Sequence, residues 1–202
     1  MRILMFGWEF PPHVSGGLGT ACYHMTKALA DLGHHILFVM PVPVVGAGAP
    51  HVQMISAAPA PVRRPADARQ PAGRIVMKPV RSTLRPYMND RMYQAMLVAG
   101  RGGEGESYLA VSDAYGEDLM AEVGRYSVAA SAIAAQRRFD IIHCHDWMTI
   151  PAGLAAKKKS GRPFVLHVHA LECDRSGEQV NPEIYDLERR GMEAADAVIA
   201  VS

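Results

Sequence analysis

The sequence is short of three things. Cysteine is scarce, with three in 202 residues, at positions 22, 144 and 173, and none forms a CxxC pair. An odd count at wide spacing argues against a disulfide framework and fits a reducing cytoplasm, the expected location. Net charge is scarce too. Twenty-one basic and 20 acidic residues leave +1, so there is no electrostatic basis for nucleic acid or an anionic membrane as the main partner. Long apolar runs are missing. The N-terminal run breaks at Trp8-Glu9-Phe10-Pro11, too early for a signal peptide, and no segment is apolar for long enough to span a bilayer.

What remains is the composition of a globular domain, 49% apolar and 20% charged, long enough to build one hydrophobic core. Residues 3–6 read as a short strand apolar on both faces, stopped by Pro11 and Pro12. Gly16, Gly17 and Gly19 then open a helix whose apolar stripe runs Leu18, Ala21, Cys22, Met25, Ala28, Leu29 and Leu32, with Gly33 as its stop. A second apolar strand spans 35–40. Residues 43–73 are rich in proline, alanine, glycine and arginine and read as an irregular surface excursion, with a short strand at 52–56. Its arginines at 63, 64 and 69, with Arg74 just beyond, suit a solvated loop better than a ligand site.

Further along, the pattern gives a strand over 74–80, a short helix within 86–100, a turn-rich break at 101–106 and a long helix over 112–138. A strand over 140–145 and a helix over 150–159 follow, the helix with Pro151 in its first turn and three lysines at its end. The rest is a strand over 163–169, a helix capped by Asn181 and Pro182 running to about 195, and a strand over 197–201. Alternating strands and helices define the fold class as α/β, a doubly wound and mainly parallel sheet. The chain stops after an apolar strand where a helix should follow, which suggests one half of a larger protein.

In open parallel sheets ligands sit beyond the carboxyl ends of the strands. Three strand ends here turn abruptly polar: the glycine loop, Ile142-His-Cys-His-Asp-Trp147, and Leu166-His-Val-His-Ala-Leu-Glu-Cys-Asp-Arg-Ser-Gly-Glu178. One shared cleft would explain all three. Free amides at a glycine-rich helix start favour an anion, usually a phosphate, the plain alternative being a ligand-free βα turn. Two His-x-His pairs, His143 with His145 and His167 with His169, each point to one side of a strand. Together with Asp146 they invite a zinc reading. Because His143 and His167 lie deeper in otherwise buried strands, we read these two instead as core histidines satisfied by backbone or carboxylate neighbours.

No Gly-x-Ser-x-Gly elbow is present, and Cys144 points away from the histidines. A dinucleotide-binding fingerprint is also missing, since some ten residues separate the first strand from Gly16 and the second strand ends in Met40-Pro41. A hydrolase or an oxidoreductase therefore has no supporting motif.

Four ordered segments carry a resemblance. Trp8-Glu9-Phe10-Pro11-Pro12 with Ser15-Gly16-Gly17-Leu18-Gly19, His143-Cys144-His145-Asp146-Trp147, His169-Ala170-Leu171-Glu172 and the stretch from Glu193 to Ser202 are similar to glycogen and starch synthases and related retaining glycosyltransferases. The resemblance implies a Rossmann-like N-terminal domain of a GT-B enzyme over 1–202, the acceptor side, with the C-terminal nucleotide-binding domain absent. It implies a nucleotide-sugar donor, ADP-glucose or UDP-glucose, and an oligo- or polysaccharide acceptor such as an α-1,4-glucan.

By the same resemblance, Gly16, Gly17 and Leu18 form the donor diphosphate loop and His169 approaches the donor sugar. Asp146 and Glu9 line the acceptor region, the former as a second catalytic residue. Trp147 offers a flat wall to a sugar face, its alternative being a core tryptophan. The family mechanism needs no cofactor and no metal, so the His143–Asp146 cluster is expected to be metal-free. Val14 stands where bacterial glycogen synthases carry a lysine and Met148 where they carry a further histidine, which leaves the nucleotide open. Lacking the basic residues of the second domain, the chain alone is expected to be inactive. The competing reading is a non-catalytic glucan-binding or interaction module.

Overall fold

A computed structural model describes residues 1–11, 17–41, 49–57 and 119–201. The expected strand over 74–80, the helix within 86–100, the break at 101–106, the first part of the helix over 112–138 and most of the 43–73 excursion lie outside these residues. So does Gly16.

In chain order the elements are β1 (Arg2–Phe6), α1 (Gly17–Asp31), β2 (His35–Met40), β3 (Val52–Ser56), α2 (Leu119–Gln136), β4 (Ile141–His145), a 3-10 turn (Trp147–Thr149), α3 (Ile150–Ser160), β5 (Phe164–Val168), α4 (Glu172–Ser176), α5 (Pro182–Ala194) and β6 (Ala197–Ala200). The six described strands form one sheet in the order β3-β2-β1-β4-β5-β6, and every pair is parallel. The α/β, doubly wound, mainly parallel sheet is therefore the observed fold, Rossmann-like in its strand order.

Alternation along the strands builds a core on each face. Ile3, Met5, Ile36, Phe38 and Met40 pack with Phe10, Leu18 and Cys22 beneath α1. Leu4, Phe6, Leu37, Val39, Ile142, Cys144 and Leu166 pack on the other face with residues of α2, α3 and α5. Such two-sided burial makes these strands read as unbroken apolar runs.

The helix ends follow the sequence closely. Gly33 takes φ +83° and closes α1, with its amide on the Ala30 carbonyl at 2.8 Å and His34 N on Leu29 O at 3.0 Å. Asn181 Oδ1 accepts from Glu183 N at 2.9 Å. Leu32, assigned to the apolar stripe, instead lies one residue beyond the helix and is 74% exposed, while Thr26 takes a buried place on that face. The 3-10 turn and α4 have no forerunner in the sequence reading.

Candidate functional site

The order of strands reverses between β1 and β4, which puts the crevice of an open sheet at their carboxyl ends. Glu9 follows β1, the pair His143 and His145 ends β4, and His167 with His169 ends β5. Register sets Met5 beside His143 and His145 beside His167, so these strand ends meet at one edge.

Glu9 is buried, and its Oε2 accepts from the Gly19 amide of the first turn of α1 at 3.3 Å. A carboxylate thus already sits at that helix N-terminus, where a negative charge is favourable. The Cβ direction of Gly17 is open, whereas the Leu18 side chain belongs to the core beneath α1. Leu18 can meet a ligand here only through its backbone amide. Trp147 is 2% exposed and packed with Met148, Ile150 and Leu166, so its position is that of a core tryptophan rather than a wall open to a sugar.

Asp146 has φ +59° and ψ 176°, a region otherwise almost confined to glycine. Its amide donates to His167 O at 2.9 Å, and its Oδ1 accepts from His169 N at 2.6 Å. Burial, its largest influence, raises the carboxyl to about 6, against the lowering effect of the His169 and Ala170 amides. The side chain is thus spent on holding the turn after β5. Thr149 Oγ1 donates to His145 O at 2.9 Å and secures the other side of that junction.

His169 is half-buried, with Nε2 at 3.0 Å from His145 Nδ1. The four rings form three stacked contacts, His143 with His145 at 4.7 Å between centroids, His143 with His167 at 5.6 Å and His167 with His169 at 4.2 Å. Burial is the leading cause of depressed basicity in all four. His143 falls to about 3 and His167 to about 4, while His145 lies well below the usual imidazole range. All four are neutral near pH 7. Their expected partners are missing, however, because His143 Nε2, His145 Nε2 and His167 Nδ1 are buried without a hydrogen bond. The reading of His143 and His167 as satisfied core histidines does not hold for His143 Nε2 and His167 Nδ1.

Behind His169 lies a buried ionic cluster that the sequence reading overlooked. Arg175 Nη2 reaches Glu188 Oε1 at 2.7 Å and Glu172 Oε2 at 3.3 Å, and its Nη1 donates to Ala170 O. Glu188 accepts the Glu172 amide, and Glu172 accepts Ser176 Oγ at 2.6 Å and Asn181 N at 3.1 Å. The Glu172-x-x-Arg175 spacing within one helical turn was the available signal. Glu188, on another helix, left none.

The fold defines the class, an α/β protein whose parallel sheet reverses its strand order between β1 and β4. The chain belongs to the starch synthase catalytic domain family, whose model matches residues 2–202. It is 25% identical over 184 residues to the glycogen synthase of Mycobacterium tuberculosis, covering 87% of this chain and 35% of that protein. It is 25% identical over 177 residues to an uncharacterized glycosyltransferase of Methanocaldococcus jannaschii, covering 88% and 33%. The chain therefore spans about a third of the length of these relatives. Among solved structures, sucrose-phosphate synthase from Thermosynechococcus elongatus matches with a TM-score of 0.63 at 16% identity, over 100% of this chain and 42% of that one. That likeness concerns the fold.

Proposed function

We propose that this chain is the acceptor side of a retaining GT-B glycosyltransferase. The reaction moves a hexose, glucose on the family resemblance, from ADP-glucose or UDP-glucose to a glucan hydroxyl. The observation that carries this reading is the position of His169, half-buried at the end of β5 and beside the strand-order switch. Its approach to the donor sugar is what the family resemblance implies. Its backbone is fixed by Asp146 and, through Ala170, by Arg175. We therefore assign Asp146 as the residue that positions His169, and His169 as the residue that meets substrate.

Charge at this end of the sheet supports the need for a second domain. Glu9, Asp146, Glu172 and Glu188 are buried at this end, and the cation packed with them, Arg175, is committed to Glu172 and Glu188. A diphosphate would meet backbone amides of the glycine loop, while Arg175 is already committed to Glu172 and Glu188. Charge developing on the leaving diphosphate then has to be met from elsewhere.

Calorimetry of the 202-residue chain with maltoheptaose, ADP-glucose and UDP-glucose tests the proposal. Glucan binding with no turnover of either donor is the expected result. Turnover by the chain alone would overturn the division of labour. Failure to bind any glucan would overturn the acceptor assignment. A natural reading frame without a second Rossmann-like domain would instead favour the glucan-binding module.

A further inference from the structure

Register places His145 directly across from His167, and the His-x-His spacing brings His143 and His169 onto the same side of the sheet. A group of four neutral imidazoles would normally find partners for its nitrogens. Here His143 Nε2, His145 Nε2 and His167 Nδ1 are buried and unpaired. Buried polar atoms in folded proteins are nearly always satisfied, and an orphan commonly marks a water or an ion. One ring nitrogen from each of His143, His145 and His167 lies within 4.8 Å of the others, a grouping that no other His, Cys, Asp or Glu set among the described residues achieves.

We propose that His143, His145 and His167 bind a divalent transition metal of the zinc class. All-imidazole donors suit zinc, cobalt, nickel or copper and disfavour oxygen-seeking calcium and magnesium. The 3.0 Å contact between His145 Nδ1 and His169 Nε2 sets a tautomer. With Nδ1 donating there, His145 keeps its Nε2 lone pair for the ion, and His169 acts as the partner that orients a metal-bound ring.

Binding requires movement. Rings stacked within 16–17° send their in-plane lone pairs along nearly parallel lines, and zinc–nitrogen bonds are about 2.0–2.1 Å. The rings must therefore turn about the Cβ–Cγ bond, a soft torsion in histidine, and break the stack. Family resemblance led us to expect a metal-free cluster, and the inference departs from it on the orphaned nitrogens alone. It gives the ion no part in sugar transfer. The ion would tie β4 to β5 beneath His169.

The test is titration of the chelator-treated 202-residue chain with cobalt(II) and then zinc(II), followed by calorimetry and visible absorption. We expect one equivalent of cobalt with the ligand-field bands of a four-coordinate site, displaced by zinc. His143→Asn and His167→Asn should each weaken binding by about 100-fold or more, beyond the loss typical of a merely supporting partner. Cys173→Ser, which removes an exposed thiol, should leave it unchanged. A second measurement needs no variant. Zinc should shift the ring resonances of His143, His145 and His167 and leave those of the exposed His24 and His35 in place. Substoichiometric binding, equal binding by the variants, or shifts confined to His24 and His35 would overturn the site and leave buried water as the partner of these nitrogens.

Discussion

Two kinds of residue at the ends of β4 and β5 pull stability in opposite directions as pH changes. His143 and His167 titrate near 3 and 4 in the folded chain, against 6.5 for an ordinary imidazole, so the unfolded state binds more protons between those values. Their contribution is present above pH 6.5 and is lost as pH falls toward 4. Asp146, raised to about 6 from 3.8, acts in reverse, and its contribution grows as pH falls through 6. His145 and His169 shift in the same direction as the other histidines, so the imidazoles outnumber the carboxyl. Unfolding by urea at pH 7.0, 5.5 and 4.5 should show stability falling with acidity, and His143→Asn should flatten the slope.

Asp146 also makes a backbone prediction. Asp146→Ala removes the acceptor of the His169 amide and leaves a side chain at φ +59°, for a loss of about 1–3 kcal/mol in urea unfolding. Asp146→Asn keeps an acceptor oxygen and should lose less. The sequence announced Asp146 as a residue of interest, since a strand core gains nothing by ending in His-Asp-Trp. It could not announce that the carboxylate is spent on backbone amides, because that depends on the loop after β5, some twenty residues away.

At the scale of elements, the junction of α3 with the sheet depends on one missing methyl group. A Cβ on Gly153 would lie 2.4 Å from Cys144 Sγ and 2.7 Å from Phe164 Cε2. Gly153→Ala should cost about 1–3 kcal/mol through forced repacking, read from the urea midpoint. The short α4 depends on charge instead. Arg175→Met would leave Glu172 and Glu188 buried together, and breaking such a pair costs about 3–5 kcal/mol. Because Arg175 also holds Ala170 O, amide exchange at His169 and Ala170 should accelerate in that variant. Strands were legible as unbroken apolar runs and long helices by their apolar period. α4 was not, since its five residues hold their place by Glu172, Arg175 and Glu188 rather than by an apolar stripe.

For the whole molecule, the described charges divide by end. Arg2, Arg137, Arg138 and Arg162 gather with Asp140 where β1, β4 and β5 begin, while the carboxylates cluster where those strands finish. β6 lies at the sheet margin, and Val198, Ile199 and Val201 are each more than 40% exposed. An exposed apolar edge strand invites pairing with another chain. Sedimentation velocity of the 202-residue chain should show concentration-dependent association, and Ile199→Lys should suppress it.

The strand order has one more consequence, for the chain as it leaves the ribosome. β1 is made well before one of its neighbours, β4, which begins only at Ile141. After β3 ends at Ser56, synthesis at about 5–20 residues per second must run for several seconds more before that neighbour exists. Through that interval the three-stranded nascent sheet keeps an unpaired apolar strand at what will become its centre. Newborn chains, more than finished ones, are therefore where a holdase chaperone should be found bound.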